Sequence, residues 1–280
     1  MYNVRYHIAS LVGVFLALSL GLILGGLVVQ RGTVDRQQSA LVDGLRREFS
    51  ILRTENHDLG AENLVLKDFS GDMTHEWVAD KLVGKNVVVV SGAGRTDGVD
   101  AATDAVESAG GTVISLTLVQ PDFGLRDEKV RSVVTSETFS AELVASVAAS
   151  LAAEWIHPAT EHPVTDALQE AEALVVEGLE PGMAAAALVD VAARNGKPDQ
   201  GGLALAMAFG LQDVMAVAGE SSTVKSGLAQ SAWDHKVPAF DSLGTEVGRY
   251  SLVALLSGAK PGLYGSGGSA TAAYPALPKK

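Results

Sequence analysis

Hydrophobic positions divide the chain into three stretches with different periodicities. The first, Ile8 to Val29, holds 22 residues without charge or proline. A helix of that length spans roughly 33 Å, about the thickness of a bilayer's hydrocarbon core. A cleaved signal peptide is the alternative, but its apolar stretch is usually shorter and no clean Ala-x-Ala site follows. The pattern therefore predicts an uncleaved transmembrane anchor over residues 1–30, in contact with membrane lipid through residues 8–29.

Basic residues flank this segment on both sides, so composition alone leaves its orientation open. Arg5 precedes it, whereas Arg31, Arg36, Arg46 and Arg47 follow it. Counting positive charges would place the larger, C-terminal part of the chain in the cytoplasm. A short basic head before an N-terminal anchor is instead typical of a signal-anchor, which would place that part outside.

The second stretch repeats every seven residues, the period of a coiled coil. Four successive d positions hold leucine, and two of the four a positions hold asparagine. In a parallel two-stranded coil such asparagines bond each other across the axis. In the alternative, a helix folded onto the same chain, they would be buried without partners. The pattern predicts a parallel homodimer over residues 31–69, with these residues at the interface: Val42, Leu45, Phe49, Leu52, Asn56, Leu59, Asn63 and Leu66.

The third stretch alternates between short apolar runs and helical patterns, which predicts a doubly wound, Rossmann-like α/β domain over residues 85–258. A linker over 70–84 precedes it, and a Gly/Ser/Pro-rich tail over 259–280 follows. The fold class is therefore α/β, with the anchor and the coil in front. The predicted strands are Asn86–Ser91, Thr112–Leu118, Ala173–Val176, Leu203–Ala208 and Val237–Phe240. The predicted helices are Asp100–Ala109, Ser136–Trp155, Met183–Arg194, Ser222–Trp233 and Thr245–Ser257.

Charge and composition narrow the classes of function. The chain has 280 residues and a net charge of −12, with no cysteine. Residues 1–69 hold seven basic and seven acidic residues, so the whole excess of negative charge belongs to the rest of the chain. A basic nucleic-acid-binding surface is excluded, and no nucleic acid partner is expected. Thiolate nucleophiles, Cys-ligated zinc and iron–sulfur clusters are excluded as well.

No set of residues predicts catalysis, and we expect a protein that is not an enzyme. The segment Gly92–Gly98 follows a strand, as a dinucleotide-binding loop does. Its glycine spacing misses that fingerprint, however, and Asp97 would place a carboxylate where the pyrophosphate should lie. We therefore interpret the segment as a simple turn into the next helix.

No cofactor or metal centre is predicted either. His157 and His162, with Glu161 between them, lie in a proline-rich segment that lacks the helical spacing of metal ligands, and we interpret it as a loop. Copper(I) prefers clustered sulfur ligands, whereas the methionines of the C-terminal part lie in apolar stretches and predict core packing. These methionines are Met183, Met207 and Met215.

Three features together resemble the actinobacterial copper transporter family. They are the basic head with its anchor, the leucine coil, and a C-terminal run that ends in Gly-Leu-Tyr-Gly. The motifs that carry the resemblance are Arg5–Leu11, Phe15–Leu18, Gly21, Gly25, Asp241–Leu243, Gly248-Arg249 and Pro261–Gly265.

The resemblance implies a single-pass cell-envelope protein with its C-terminal domain outside the cytoplasm. It also implies a part in copper efflux or homeostasis, with copper as the transported or sensed species. No ligand residue is implied, because no copper-ligand motif is present. The alternative function is a non-catalytic adaptor of the envelope or of cell separation, which acts on an envelope protein partner. From the residues alone we expect the C-terminal domain to bind copper(I) no better than other acidic proteins.

Overall fold

The computed structural model of the protein describes most of the chain. The described residues are 4–30, 33–92, 97–118, 120–157, 161–178, 186–190, 200–221, 228–267 and 269–276. The chain divides into two compact units, Met1–Leu66 and Lys67–Lys280. The first unit holds the helix α1 (Val4–Gln30) and most of the helix α2 (Thr33–Val78). The last turns of α2 belong to the second unit, so α2 runs through much of the segment predicted as a linker.

The second unit combines strands and helices, as predicted for an α/β domain. Its strands are β1 (Asn86–Gly92), β2 (Thr112–Leu118), β3 (Leu174–Gly178), β4 (Ala186–Asp190), β5 (Met215–Ser221), β6 (Ala239–Leu243) and β7 (Leu263–Tyr264). Its further helices are α3 (Asp97–Ser108), α4 (Glu128–Val134), α5 (Ala141–Ile156), α6 (Pro163–Glu170), α7 (Gln200–Leu211), α8 (Leu228–Asp234) and α9 (Glu246–Leu256). A short 3-10 helix spans Pro121–Gly124.

One sheet joins the described strands in the order β3-β2-β1-β4-β5-β6-β7. Every neighbouring pair is parallel except β2 and β3, which run antiparallel. The strand β1 lies in the interior of the sheet, where Val89 lies opposite Ser115 on one side and Leu188 on the other. Such a strand is covered on both faces, which is why its sequence is an unbroken valine run.

The core lies on both faces of this sheet because successive side chains of a strand point in opposite directions. Val88 and Val90 of β1 pack on one face with side chains of α5 and α7. Val87 and Val89 pack on the other face with side chains of α3 and α9. Each buried valine contributes about 1.5–3 kcal/mol relative to an exposed one. The valine run therefore ties both helical layers to the sheet.

Hydroxyl side chains cap the N-termini of the helices α5 and α9. The Oγ of Ser140 accepts a hydrogen bond from the backbone N–H of Leu143 at 3.1 Å, at the start of α5. The Oγ1 of Thr245 accepts one from Gly248 N–H at 3.1 Å, at the start of α9. Each cap is worth about 1 kcal/mol, and both helices were predicted from the sequence.

Two predicted elements are wrong. The predicted helix Met183–Arg194 contains the strand β4, whose alanines and leucine pair with β1 and β5. Pairing in the centre of a sheet overrides the high helix propensity of alanine. The predicted strand Leu203–Ala208 lies within the helix α7, which buries apolar residues on most of its surface. Periodicity cannot distinguish such a helix from a buried strand.

Other elements follow the predictions with shifted ends. Predicted strand Val237–Phe240 corresponds to β6, and predicted helix Ser222–Trp233 overlaps α8, although residues 222–227 lie outside the described residues. The strand β5 was not predicted. The predicted turn Gly92–Gly98 joins β1 to α3, and residues 93–96 of it also lie outside the described residues.

Candidate functional site

The helix α1 carries apolar side chains all round its surface. Within Val4–Leu27, an 18-residue window has a mean hydropathy of 2.4, and none of that window is buried within the protein. A helix that is apolar on every side needs a core or a bilayer around it. By length and composition α1 is therefore a candidate transmembrane helix, as predicted.

A shallow groove runs along one side of α1. Gly21, Gly25 and Gly26 line it, and an added Cβ at any of them would meet no neighbouring atom. The spacing of Gly21 and Gly25 is the small-xxx-small pattern that lets membrane helices approach closely. The surface of α1 thus has room for a second helix on this side.

The helix α2 carries a row of exposed interface candidates, which we call the seam. The seam consists of Val42, Leu45, Phe49, Leu52, Asn56, Leu59, Asn63 and Leu66. Its apolar members are between 43% exposed, at Val42, and 69% exposed, at Phe49. Both asparagines are exposed as well. An exposed row of mainly apolar side chains is typical of an interaction surface, because the surfaces of soluble proteins rarely expose large apolar patches.

The candidate metal ligands are not brought together. No group of three or more histidine, aspartate and glutamate side chains that could hold a metal ion occurs among the described residues. His157 follows the last residue of α5 and His162 precedes the first residue of α6. The Nδ1 of His162 is buried without a hydrogen-bond partner among the described residues. His235 lies elsewhere, at the end of α8, and its Nδ1 donates to the Ser231 carbonyl at 2.8 Å.

The methionines also fail to form a sulfur cluster in the described part of the chain. Met207 is 37% exposed on α7, so its prediction as a core residue is wrong. Met215 begins β5 and packs against the core on the α3 and α9 face. Both border one groove together with His235, but α7 lies on the opposite face of the sheet from the Met215 side chain. Met183 lies outside the described residues.

The C-terminal motif residues Asp241 and Gly265 stabilise the backbone that follows β7. The carboxylate of Asp241, in β6, accepts hydrogen bonds from the backbone N–H of Ser266 at 3.0 and 3.1 Å and of Gly267 at 2.9 Å. Gly265 has a φ of 140°, and a Cβ there would overlap the Asp241 carboxylate. The Tyr264 hydroxyl donates to the Lys260 carbonyl at 2.8 Å. The Gly-Leu-Tyr-Gly segment thus contains the strand β7, and Asp241 holds the turn that follows it.

The motif residues Gly248 and Arg249 lie in the first turn of α9. Thr245 donates its hydroxyl to the Ser242 carbonyl at 2.8 Å, and Gly248 packs against that same carbonyl so closely that a Cβ would overlap it. Arg249 reaches Asp104 of α3 at 3.3 Å. The motif residues Gly248 and Arg249 therefore stabilise the junction of α9, β6 and α3.

Sequence reasoning missed the junction at the end of α2. Trp77 meets Tyr250 of α9 edge to face, with ring centroids 5.9 Å apart, and Tyr250 meets Tyr274 at the same distance. Burial, together with the neighbouring Tyr274, raises the pKa of the Tyr250 hydroxyl. Val78 and Leu82 are buried beside them. The end of α2 therefore contacts the α/β core through Val78 and Trp77, and no local sequence pattern indicates this contact.

These features define a class: a membrane-anchored chain with one N-terminal apolar helix, an exposed heptad surface and a mixed helix–strand unit. Within that class, the chain belongs to the family described as "Copper transport outer membrane protein, MctB", which matches residues 1–275. The predicted copper transporter family is thereby confirmed. No curated protein and no solved structure matches the chain.

Proposed function

We propose that this protein is an anchored cell-envelope component of copper efflux or homeostasis, with its α/β unit outside the cytoplasm. One observation carries the proposal. A chain matched over residues 1–275 by a copper transport family places a 24-residue apolar helix ahead of an exposed interaction surface. This order of elements suits a protein held in a membrane that works by assembling with others.

We infer that its part in copper handling is indirect. Direct transport would need ligands, and the described residues hold neither a histidine–carboxylate cluster nor a shared pair of sulfur atoms. Tight copper(I) sites draw on such sulfur ligands. The protein then acts non-enzymatically, by positioning or organising an envelope protein that carries the metal.

Dimerisation through the seam is part of this proposal. Its eight residues repeat every seven positions, and the six apolar ones are exposed in a single chain. Two such helices bury these surfaces against each other in a coiled coil. Parallel pairing suits two chains that enter from the same membrane.

We also interpret the α/β unit as a Rossmann-like module used for binding. The strand order β3-β2-β1-β4-β5-β6 supports this interpretation, since it is the order of a doubly wound sheet. The antiparallel β3 is a departure from that plan. Fold alone does not imply an activity, and we propose none for the unit by itself.

The second candidate is a structural adaptor in the envelope or in cell separation. The exposed seam and the contact of Trp77 with Tyr250 favour it, because they give α2 a free apolar surface and an end that is attached to the α/β unit. Under this alternative, loss of the protein would disturb cell separation at any copper concentration.

Complementation of cells that lack the gene separates the two functions. We expect the wild-type chain to restore growth in copper and to lower cell-associated copper, while tolerance to cobalt, the control metal, stays unchanged. Restoration of cell separation without any effect on copper would favour the adaptor. Equal sensitivity to copper and cobalt would contradict the copper function.

Reporter fusions after Lys280 test the orientation. An export-dependent reporter should be active there, and a reporter that works only in the cytoplasm should be silent. The reverse result would place the α/β unit in the cytoplasm, as the count of arginines after α1 suggests.

A further inference from the structure

Charged side chains border the seam on both sides in a regular pattern. In the heptad that places the seam at a and d, the g positions on one side are Glu48, Glu55 and Glu62. The e positions on the other side are Arg46, Arg53, Gly60 and Lys67. All of them are exposed. The seam is thus an apolar row with an acidic border and a mainly basic border.

Most of these charges have no ion-pair partner within the described chain. Arg46 is the exception, since it lies 3.7 Å from Asp43 on the same helix. Glu48, Arg53, Glu62 and Lys67 make no such pair among the described residues. Their arrangement therefore calls for a partner whose charges are complementary to both borders.

A second copy in parallel orientation meets that requirement. In a parallel coil, a g residue faces the e residue of the next heptad on the other helix. Glu48 then faces Arg53 of the second copy, and Glu62 faces Lys67 of the second copy. Twofold symmetry forms each pair twice. Glu55 is the one acidic residue without a partner, because the facing position is Gly60.

Neither an antiparallel arrangement nor a shifted register pairs both the charged residues and the asparagines. Antiparallel pairing sets g against g and e against e, which brings glutamates together on one side and basic residues together on the other. A slip of one heptad in the parallel coil places Asn56 of one copy opposite Phe49 of the other, so its amide is buried without its twin. Only the parallel arrangement in register satisfies both the charges and the asparagines.

We propose that the seam is occupied by a second copy of this chain, parallel and in register, selected by Glu48–Arg53 and Glu62–Lys67 pairs between the copies. This inference rests on the dimer proposed above. It adds the ion pairs that select the parallel orientation and the register.

Disulfide trapping tests the orientation, because the chain has no cysteine of its own. Single substitutions Leu45→Cys and Leu66→Cys place one thiol near each end of the seam, in the full chain in native membranes. We expect each to form a disulfide-linked homodimer on mild oxidation. Ala61→Cys is the matched control, since its f position points away from the partner and should not crosslink.

Other occupants of the seam would give different patterns. In an antiparallel dimer, neither seam variant crosslinks alone, but a mixture of the two does. A helix covered by its own chain gives no crosslink and protects both seam cysteines from a maleimide. Either pattern overturns the proposal.

Charge reversal tests the ion pairs. In the Leu45→Cys background, Glu48→Arg with Glu62→Arg should raise the dimer dissociation constant about tenfold, and added salt should reduce the difference. Adding Arg53→Glu and Lys67→Glu to the same chain should restore wild-type association. Glu55→Arg, which faces Gly60, is the control and should change association less than about twofold.

The two tests separate the inference from the proposal on which it rests. Crosslinking of Leu45→Cys that is unaffected by charge reversal would leave the dimer standing and contradict the selection by ion pairs. Absence of crosslinking at both seam positions would contradict the dimer itself. Neither result bears on copper tolerance, which the complementation experiment measures separately.

Discussion

The leucines of α2 repeat every seven residues and the valines of β1 form an unbroken run, and the fold buries the valines but leaves the leucines exposed. Leu52 in the seam is 58% exposed, whereas Val87 to Val90 are fully buried between two layers of helices. The valines find their partners within the same chain. The leucines do not, and neither do the side chains of α1. The comparison shows that the fold buries the apolar surface of the α/β unit, whereas the apolar surface of the first unit stays exposed, as we expect if a membrane and a second chain cover it.

The largest effect should come from placing charge in α1. Leu16→Arg with Leu20→Arg costs about 2.5–3.5 kcal/mol for each arginine near the centre of a bilayer. We expect the double variant to be released from membranes by alkaline carbonate, while the wild-type chain stays in the pellet. Leu64→Arg, at an exposed position of α2 outside the seam, is the control and should stay bound. Retention of the double variant would contradict the transmembrane assignment of α1.

A matched pair of leucines sharpens the comparison between the regions. Leu151 is fully buried in α5, and Leu151→Ala should lower the unfolding free energy of the α/β unit by about 2–5 kcal/mol. Leu52→Ala should leave that transition unchanged and weaken self-association instead. Urea unfolding followed by the fluorescence of the buried Trp155 measures the first effect, and sedimentation measures the second. Equal destabilisation of the α/β unit by both variants would show that the seam packs on the same chain.

Replacing a seam asparagine should stabilise the coil. Asn56→Leu buries a leucine at an a position, worth about 1.5–3 kcal/mol, and removes the polar pair that favours two strands. We expect a higher melting temperature of the helical signal and a mixture of oligomers in place of a single dimer. Thr54→Leu, at the outward f position, should change neither. A lower melting temperature in Asn56→Leu would argue against the coil.

A smaller effect is expected at the C-terminal loop. Asp241→Ala removes the acceptor of three backbone hydrogen bonds and should destabilise the α/β unit by about 1–3 kcal/mol. Hydrogen exchange should accelerate at Ser266 and Gly267, the two donors. Asp241→Asn keeps one acceptor oxygen, so its unfolding free energy should lie between those of the wild-type chain and Asp241→Ala. Unchanged exchange at both amides in Asp241→Ala would show that the carboxylate does not hold the loop.

Sequence patterns predicted the elements whose apolar periodicity is set by their immediate surroundings. The anchor, the strand β1 with its valine run, the first β-α-β unit and the helix α9 were all predicted in this way. The strand β4 and the helix α7 were exchanged, because alanine-rich segments take their conformation from the neighbours they pack against. Long-range partners decide such cases, and no local pattern contains them.

The seam could also be predicted from local apolar periodicity, whereas the other contacts of the candidate site could not. Heptad spacing alone specified the seam, whereas the contact of Trp77 with Tyr250 joins residues far apart in the chain. The task of Asp241 was equally hidden, because its hydrogen-bond donors come from a loop that follows the last long helix. The motif residues of the family were visible in the sequence, but their structural purpose required the fold.

The mass of the full chain extracted in a mild detergent tests the central claim, that a second copy covers the seam. Light scattering with the detergent contribution subtracted should give about 58 kDa at tens of micromolar protein, twice the 28.9 kDa of one chain. Leu52→Glu with Leu59→Glu, which places charge in the middle of the seam, should give the mass of one chain. A wild-type mass of 28.9 kDa, or a dimer that survives both glutamates, would contradict the account.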